Sequence, residues 1–193
     1  SRIVIKGGTP RENIDLINIL IKIKGVDGNL FFSSNNIANI VYSGGASDGK
    51  LDFVEKLQDI RVKGDDKIRL FDGTDIANII LNGDSPIEKL ELITDLQELT
   101  DVNGELLLSG KNISRIVRSA GTAREKIDLI TELKTIEWRK RKLLFNSVNI
   151  SGILLSGGAI KEKLDLVQEL QKFIINGDFQ RPLFTGADIA RIF

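Results

Sequence analysis

Apolar positions recur along this chain in one phrase. Phe32 is followed by Ile37 and Ile40, and the same spacing returns as Phe71, Ile76 and Ile79, as Leu108, Ile113 and Ile116, as Phe145, Ile150 and Ile153, and as Phe184, Ile189 and Ile192. The steps between the leading residues are 39, 37, 37 and 39. Isoleucines three apart continue one helical face and predict a short first helix. The residue after each leading Phe or Leu is Ser33, Asp72, Ser109, Asn146 or Thr185, all side chains that accept from unpaired first-turn amides. An apolar residue before the cap and an Ile four after it have the spacing of a hydrophobic staple.

A glycine punctuation follows: Gly7-Gly8, Gly44-Gly45, Gly83-Asp84, Ala120-Gly121 and Gly157-Gly158. A second helix is predicted directly after it. Thr9 and Glu12, Ser85 and Glu88, and Thr122 and Glu125 form capping boxes, twice with Pro at the first helical position, whereas Ala46 and Ala159 lack a capping side chain. The rows Leu51/Val54/Leu57, Leu90/Ile93/Leu96, Ile127/Ile130/Leu133 and Leu164/Val167/Leu170 give this helix an apolar stripe, with Asp15, Asp52, Glu91, Asp128 and Asp165 as solvated face beside it. Each repeat then passes through a segment that alternates around a turn, as in residues 59–70, or contains Asn103-Gly104 or Asn176-Gly177. Asn-Gly is the strongest short hairpin signal, so a small β-hairpin is expected there. A frayed helix end with an extended linker is the alternative.

Neither short helix buries its stripe alone, so consecutive pairs are expected to stack. The predicted fold is mainly α: a tandem-repeat solenoid of helix–glycine loop–helix units, period 37–39, with a short β-hairpin between units. Residues 1–193 read as one array, with a partial repeat 1–31, repeats 32–70, 71–107, 108–144 and 145–183, and a partial repeat 184–193. Both ends fall within a repeat, which suggests a segment of a longer array.

Composition narrows the function. Hydrophobic residues are 41% and charged residues 28% of the chain, and no apolar run is long enough to span a membrane. Lys plus Arg and Asp plus Glu are 27 each, so the strongly basic balance of many nucleic-acid binders is missing. Cys and His are both absent, which argues against triad hydrolases and zinc enzymes. No catalytic residue, metal ligand, cofactor or small-molecule substrate is expected. Gly44-Gly45-Ala46-Ser47-Asp48-Gly49-Lys50 has P-loop spacing, but Leu51 stands where Ser or Thr must hold magnesium, and Lys50-Leu51 belongs to a repeat column. Asp65-Asp66 lacks the spaced ligands of a calcium loop. Trp138 with Arg139-Lys140-Arg141-Lys142 is the one basic cluster, either a phosphate contact with a stacking ring or a solvated hairpin tip.

The repeated features carry more. A glycine loop sits beside the positive end of every second helix, with Lys50, Lys89, Lys126 and Lys163 in its first turns and Arg11, Arg124 and Lys161 in a neighbouring column. A ladder of amides and cations suits a regularly spaced polyanion. Against this, the glycines serve equally to supply positive φ at a tight turn, and each lysine to balance a neighbouring Glu.

The phrase Phe184-Thr185-Gly186-Ala187-Asp188-Ile189-Ala190-Arg191-Ile192, continued in other copies as Ser156-Gly157-Gly158 and Leu164-Asp165-Leu166-Val167-Gln168-Glu169-Leu170, resembles the repeats of transcription activator-like effectors. It resembles more closely the divergent TALE-like repeats of bacterial endosymbionts. The resemblance covers the helical two-thirds of every repeat; these repeats are several residues longer, the excess lying in the hairpin segment. It implies paired helices that wrap duplex DNA, one base read per repeat, with Gly8, Gly45, Asp84, Gly121 and Gly158 facing the bases. In that family Gly goes with thymine and Asp with cytosine. Lys50, Lys89, Lys126, Lys163, Arg11, Arg124 and Lys161 are then expected to face phosphates, and the protein to be soluble and cytoplasmic or nuclear. The alternative is a protein–protein interaction scaffold on the same helical surface.

Overall fold

The computed structural model describes residues 8–81, 85–101, 106–138, 142–143, 145–175 and 181–193. Among them the chain is mainly helical, with three small two-stranded antiparallel sheets. Shorter helices α2 (Ser34–Tyr42), α4 (Gly73–Ile80), α6 (Gly110–Arg118), α8 (Ser147–Leu155) and α10 (Gly186–Ile192) alternate with α1 (Pro10–Leu20), α3 (Ser47–Asp59), α5 (Pro86–Gln97), α7 (Ala123–Thr135) and α9 (Ile160–Gln171). The strands are β1 (Arg61–Val62) with β2 (Asp65–Arg69), β3 (Glu137–Trp138) with β4 (Lys142–Leu143), and β5 (Ile174–Ile175) with β6 (Arg181–Pro182).

Every shorter helix opens on the cap that the sequence nominates. Side-chain oxygens of Ser33, Asp72, Ser109, Asn146 and Thr185 accept from the amides of Asn36, Asp75, Asn112, Asn149 and Asp188, at 3.2, 2.8, 3.3, 2.9 and 3.2 Å. The apolar residues flanking these caps are core, save the half-buried Phe184: Phe32, Phe71, Leu108 and Phe145 are buried, as are Ile37, Ile76, Ile113, Ile150 and Ile189. A helix of eight or nine residues is marginal by itself, so this burial is what holds it.

Hairpins form between helical pairs, at different strengths. β1 and β2 pair Arg61 with Arg69 and Val62 with Asp65, around Gly64 at φ +89°. In two other places the ladder shrinks to one bridge, Lys24 to Leu30 and Thr100 to Leu106. The base of the connection is the same in four of them: the amides of Phe31, Leu70, Leu107 and Leu183 donate to the carbonyls of Ile23, Ile60, Leu99 and Phe173, at 3.0, 3.0, 3.0 and 2.8 Å. Asn103-Gly104 and Asn176-Gly177, the expected turns, lie outside the described residues.

The chain divides into two compact parts, residues 1–91 and 92–193. In the first, α1 packs on α2 and α3, and α4 packs on both α2 and α3. In the second, α8 packs between α6 and α10, and α7 against α8 and α9. Within each part, therefore, shorter helices touch shorter ones and longer helices touch longer ones. Polar bonds follow the same contacts: the Asn36 side-chain amide donates to the Thr74 hydroxyl at 3.4 Å, and the Ser151 hydroxyl to Asn112 Oδ1 at 3.3 Å.

Close approach fixes one residue outright. A Cβ on Gly73, the first residue of α4, would fall 2.1 Å from the Phe31 carbonyl oxygen. Gly73→Ala is therefore expected to destabilise the fold by about 1–3 kcal/mol, the usual cost of overpacking. Gly49→Ala, in the first turn of α3 with nothing within 4 Å of the new methyl, should instead be neutral or stabilising by about 0.5–1 kcal/mol. Denaturant midpoints measure both, and equal effects at the two sites would contradict the packing described.

Candidate functional site

The junction between a shorter helix and the longer one after it has one recurring architecture. Its loop carries a left-handed glycine: Gly8, Gly45, Gly121 and Gly158 have φ of +73°, +97°, +97° and +90°. All four are exposed. Asp84, in the corresponding place, lies outside the described residues. Four of the five expected base-facing positions are thus at the surface, and each holds a backbone conformation that L side chains rarely adopt.

A serine precedes this glycine loop in three junctions. The hydroxyls of Ser43, Ser119 and Ser156 donate to the carbonyls of Ile40, Ile116 and Ile153 at 2.7, 2.7 and 2.6 Å. They close the last turn of the shorter helix, where carbonyls lack intrahelical partners. The signal of this column in the sequence is Ser two residues before the left-handed glycine, a spacing that does not by itself reveal the bond. Asn82 takes its place after α4 and lies outside the described residues.

On the far side of the glycine, a glutamate closes the start of the longer helix. Glu12, Glu88, Glu125 and Glu162 accept from the amides of Thr9, Ser85, Thr122 and Ala159, at 2.5, 3.2, 2.8 and 3.1 Å. Where the capping residue has a hydroxyl, that hydroxyl accepts in return from the amide of Glu12, Glu88 or Glu125. The backbone and side-chain bonds from Thr9 and Thr122 hold Glu12 and Glu125 below the ordinary carboxyl pKa. The positive end of each of these helices therefore already has an anion, supplied by the chain itself. In α3 the residue at this place is Gly49.

The lysine column is buried, and this corrects the expectation that it faces phosphate. Lys50, Lys89, Lys126 and Lys163 keep 5%, 3%, 1% and 2% of their surface. Their ammonium groups donate to the carbonyls of Val41, Ile79, Val117 and Leu154, at 2.9, 2.8, 3.2 and 2.9 Å. Each acceptor is the penultimate residue of the shorter helix, so every lysine caps the helix before its own. Lys163 also reaches the Ser156 carbonyl at 2.8 Å, and Lys89 lies 5.8 Å over the Phe53 ring. Burial pulls the pKa of Lys50 and Lys163 down from its ordinary value.

The apolar stripe is correspondingly turned by one residue. In α3 the buried face is Lys50, Phe53, Val54 and Leu57, with Leu51 only half-buried; Lys126, Leu129, Ile130 and Leu133 repeat it in α7. The acidic column stays at the surface as expected, Asp15, Asp52, Glu91, Asp128 and Asp165 all being exposed.

Three of the expected phosphate-facing residues do face solvent. Arg11, Arg124 and Lys161 are exposed at the second position of α1, α7 and α9. The Arg124 side chain is 92% exposed, with Nε 3.9 Å from Asp128. Asp48 and Ile87 hold the same position in α3 and α5, so the column is not uniformly cationic. The P-loop-like segment lines a cavity of 380 Å³ with Gly44, Gly45, Gly49 and Lys89, but the Lys50 ammonium is directed to the Val41 carbonyl. Of the basic cluster, residues 139–141 lie outside the described residues.

A second concavity, missed from sequence, lies between residues 25–31, the β1–β2 hairpin and the start of α4, with a volume of 830 Å³. Arg69 lines it, and its guanidinium sits 5.2 Å over the Phe31 ring. Exposed Val26, Leu30 and Ile68 lie around it. Comparison with protein-family models, with curated proteins and with solved structures finds no match to this chain.

If the lysines cap helices, Lys126→Met should keep the buried stem and lose the bond to Val117, costing about 1–3 kcal/mol for the carbonyl left unmet. Lys161→Met, at the surface, should shift stability by less than about 0.5 kcal/mol. Urea unfolding distinguishes them; an unperturbed Lys126→Met midpoint would remove the structural role.

Proposed function

We propose that the recurring helical pairs form a tandem-repeat solenoid that works as a protein-interaction scaffold. The observation that carries this reading is the burial of the lysine column. Four cations that a polyanion-tracking array needs at its edge are spent on carbonyls inside the chain, and glutamates occupy the starts of four longer helices. The surface gives more to apolar contact: Val26 is 99% exposed, and Leu30, Ile68, Phe173 and Leu183 are each about half exposed at or beside the hairpins. Exposed apolar side chains such as Val26, Leu30 and Ile68 around one groove suit a protein partner better than a phosphate backbone.

A second reading, duplex DNA held through the glycine loops, draws support from one observation. Gly8, Gly121 and Gly158 are exposed and are followed by Arg11, Arg124 and Lys161, also exposed. The resemblance to TALE-like repeats supports the same reading.

Selection of random displayed peptides, alongside titration of random duplex DNA at low and moderate salt, separates the two. The scaffold reading expects peptides whose affinity falls at least about tenfold in Val26→Asp/Ile68→Asp and is unchanged in Arg124→Glu/Lys161→Glu. It also expects no DNA binding at low salt. DNA binding that weakens steeply with salt and is lost in Arg124→Glu/Lys161→Glu would overturn it.

A further inference from the structure

The groove around Arg69 has a chemical asymmetry that the fold itself does not require. Arg61, on the facing strand, is held: its Nη1 donates to the Gln58 carbonyl at 2.6 Å. Arg69 is only part-exposed, stacks on Phe31, and makes no side-chain hydrogen bond or ion pair among the described residues. Its Nη1 is closed off from solvent and has no acceptor. A guanidinium N–H enclosed without an acceptor is costly, and a carboxylate is the acceptor that matches its fork.

The groove's own carboxylates do not reach it: no carboxylate among the described residues lies within 4.0 Å of Arg69. Asp27 is folded back on Asn29, accepting from its amide at 3.0 Å and its side chain at 2.8 Å. Asp72 caps α4. Asp66 and Asp75 also line the groove. Four acidic residues around the cavity disfavour a doubly charged phosphate and leave room for a single negative charge at Arg69, with the exposed Lys67 also on the lining. Val26, Leu30 and Ile68 at the same groove offer apolar contact on either side of that charge.

We propose that this groove binds a linear peptide through an aspartate or glutamate side chain placed on Arg69, with apolar neighbours of that residue against Val26, Leu30 and Ile68. A side chain fits better than a chain terminus. Nη1 has no open surface, so the Arg69 side chain must shift to present it, and a carboxylate carried on a methylene stem then meets it while the peptide backbone stays in the open part of the groove. The proposal deepens the scaffold reading and rests on it for the partner being a protein.

The probe is a heptapeptide capped at both ends, with one glutamate flanked by leucine and valine, titrated into the whole chain. The readouts are fluorescence anisotropy and the NMR signal of the Arg69 Nε–H. The glutamate probe should move that signal, and its glutamine counterpart should bind at least about tenfold more weakly. Arg69→Gln should lose the preference while keeping the thermal unfolding midpoint, and Arg69→Lys should retain part of it. Equal affinity for the two probes, an Arg69 signal unmoved at millimolar probe, or binding that appears only with a free terminal carboxylate would each overturn the site. Displayed peptides that bind equally to wild type and Arg69→Gln would sink this site and leave the scaffold reading standing. Salt-sensitive DNA binding would instead sink the scaffold reading itself.

Discussion

A helix of eight or nine residues ends in carbonyls that no amide of its own can reach, and here their partner is a lysine from the next helix. Lys50, Lys89, Lys126 and Lys163 enter the core with their stems and deliver an ammonium to the penultimate residue of the helix before. A charged donor at a helix C-terminus also opposes the macrodipole, a contribution of about 0.3–2 kcal/mol in measured cases. The lowered pKa of Lys50 and Lys163 marks the opposing cost of desolvating the ammonium. Where a lysine is so placed, the angle between two helices joined by four or five loop residues is set by a bond as well as by packing. The serine hydroxyl before the loop and the glutamate after it finish the same junction, each taking a backbone group that the turn leaves open.

This constraint decides what the junction offers a ligand. A loop whose nearest cation faces inward and whose helix start is filled by its own carboxylate is a poor cradle for phosphate, however closely its spacing mimics one. The positive φ of Gly8, Gly45, Gly121 and Gly158 accounts for those residues by turn geometry alone. What the protein leaves unsatisfied lies elsewhere, in the groove where Arg69 stacks on Phe31 with an enclosed donor and apolar residues beside it.

Much of the local structure was legible in the sequence because its signals are short-range. A cap such as Ser33 and a box such as Thr122 with Glu125 act within three residues, so spacing alone reveals them. The lysines depart from the rule that charge marks exposure. Leu51, Val54 and Leu57 are spaced like a stripe, yet the buried face runs through Lys50, Phe53, Val54 and Leu57. A lysine stem packs as an apolar chain, and only its tip needs a partner. That partner, the Val41 carbonyl, is a backbone atom nine residues earlier that no side-chain pattern announces. The groove at Arg69 was illegible for a related reason: Phe31 and Arg69 belong to two connections far apart in sequence, and only packing brings the ring under the guanidinium.

Amine acylation of the folded chain, followed by mass spectrometry of each lysine, tests the buried column most directly. Lys50, Lys89, Lys126 and Lys163 should acylate far more slowly than exposed Lys67 and Lys161, and should reach the same rate as those two in denaturant. If the four react as fast as Lys161 in the native protein, their ammonium groups face solvent and the account of the helical junction is contradicted.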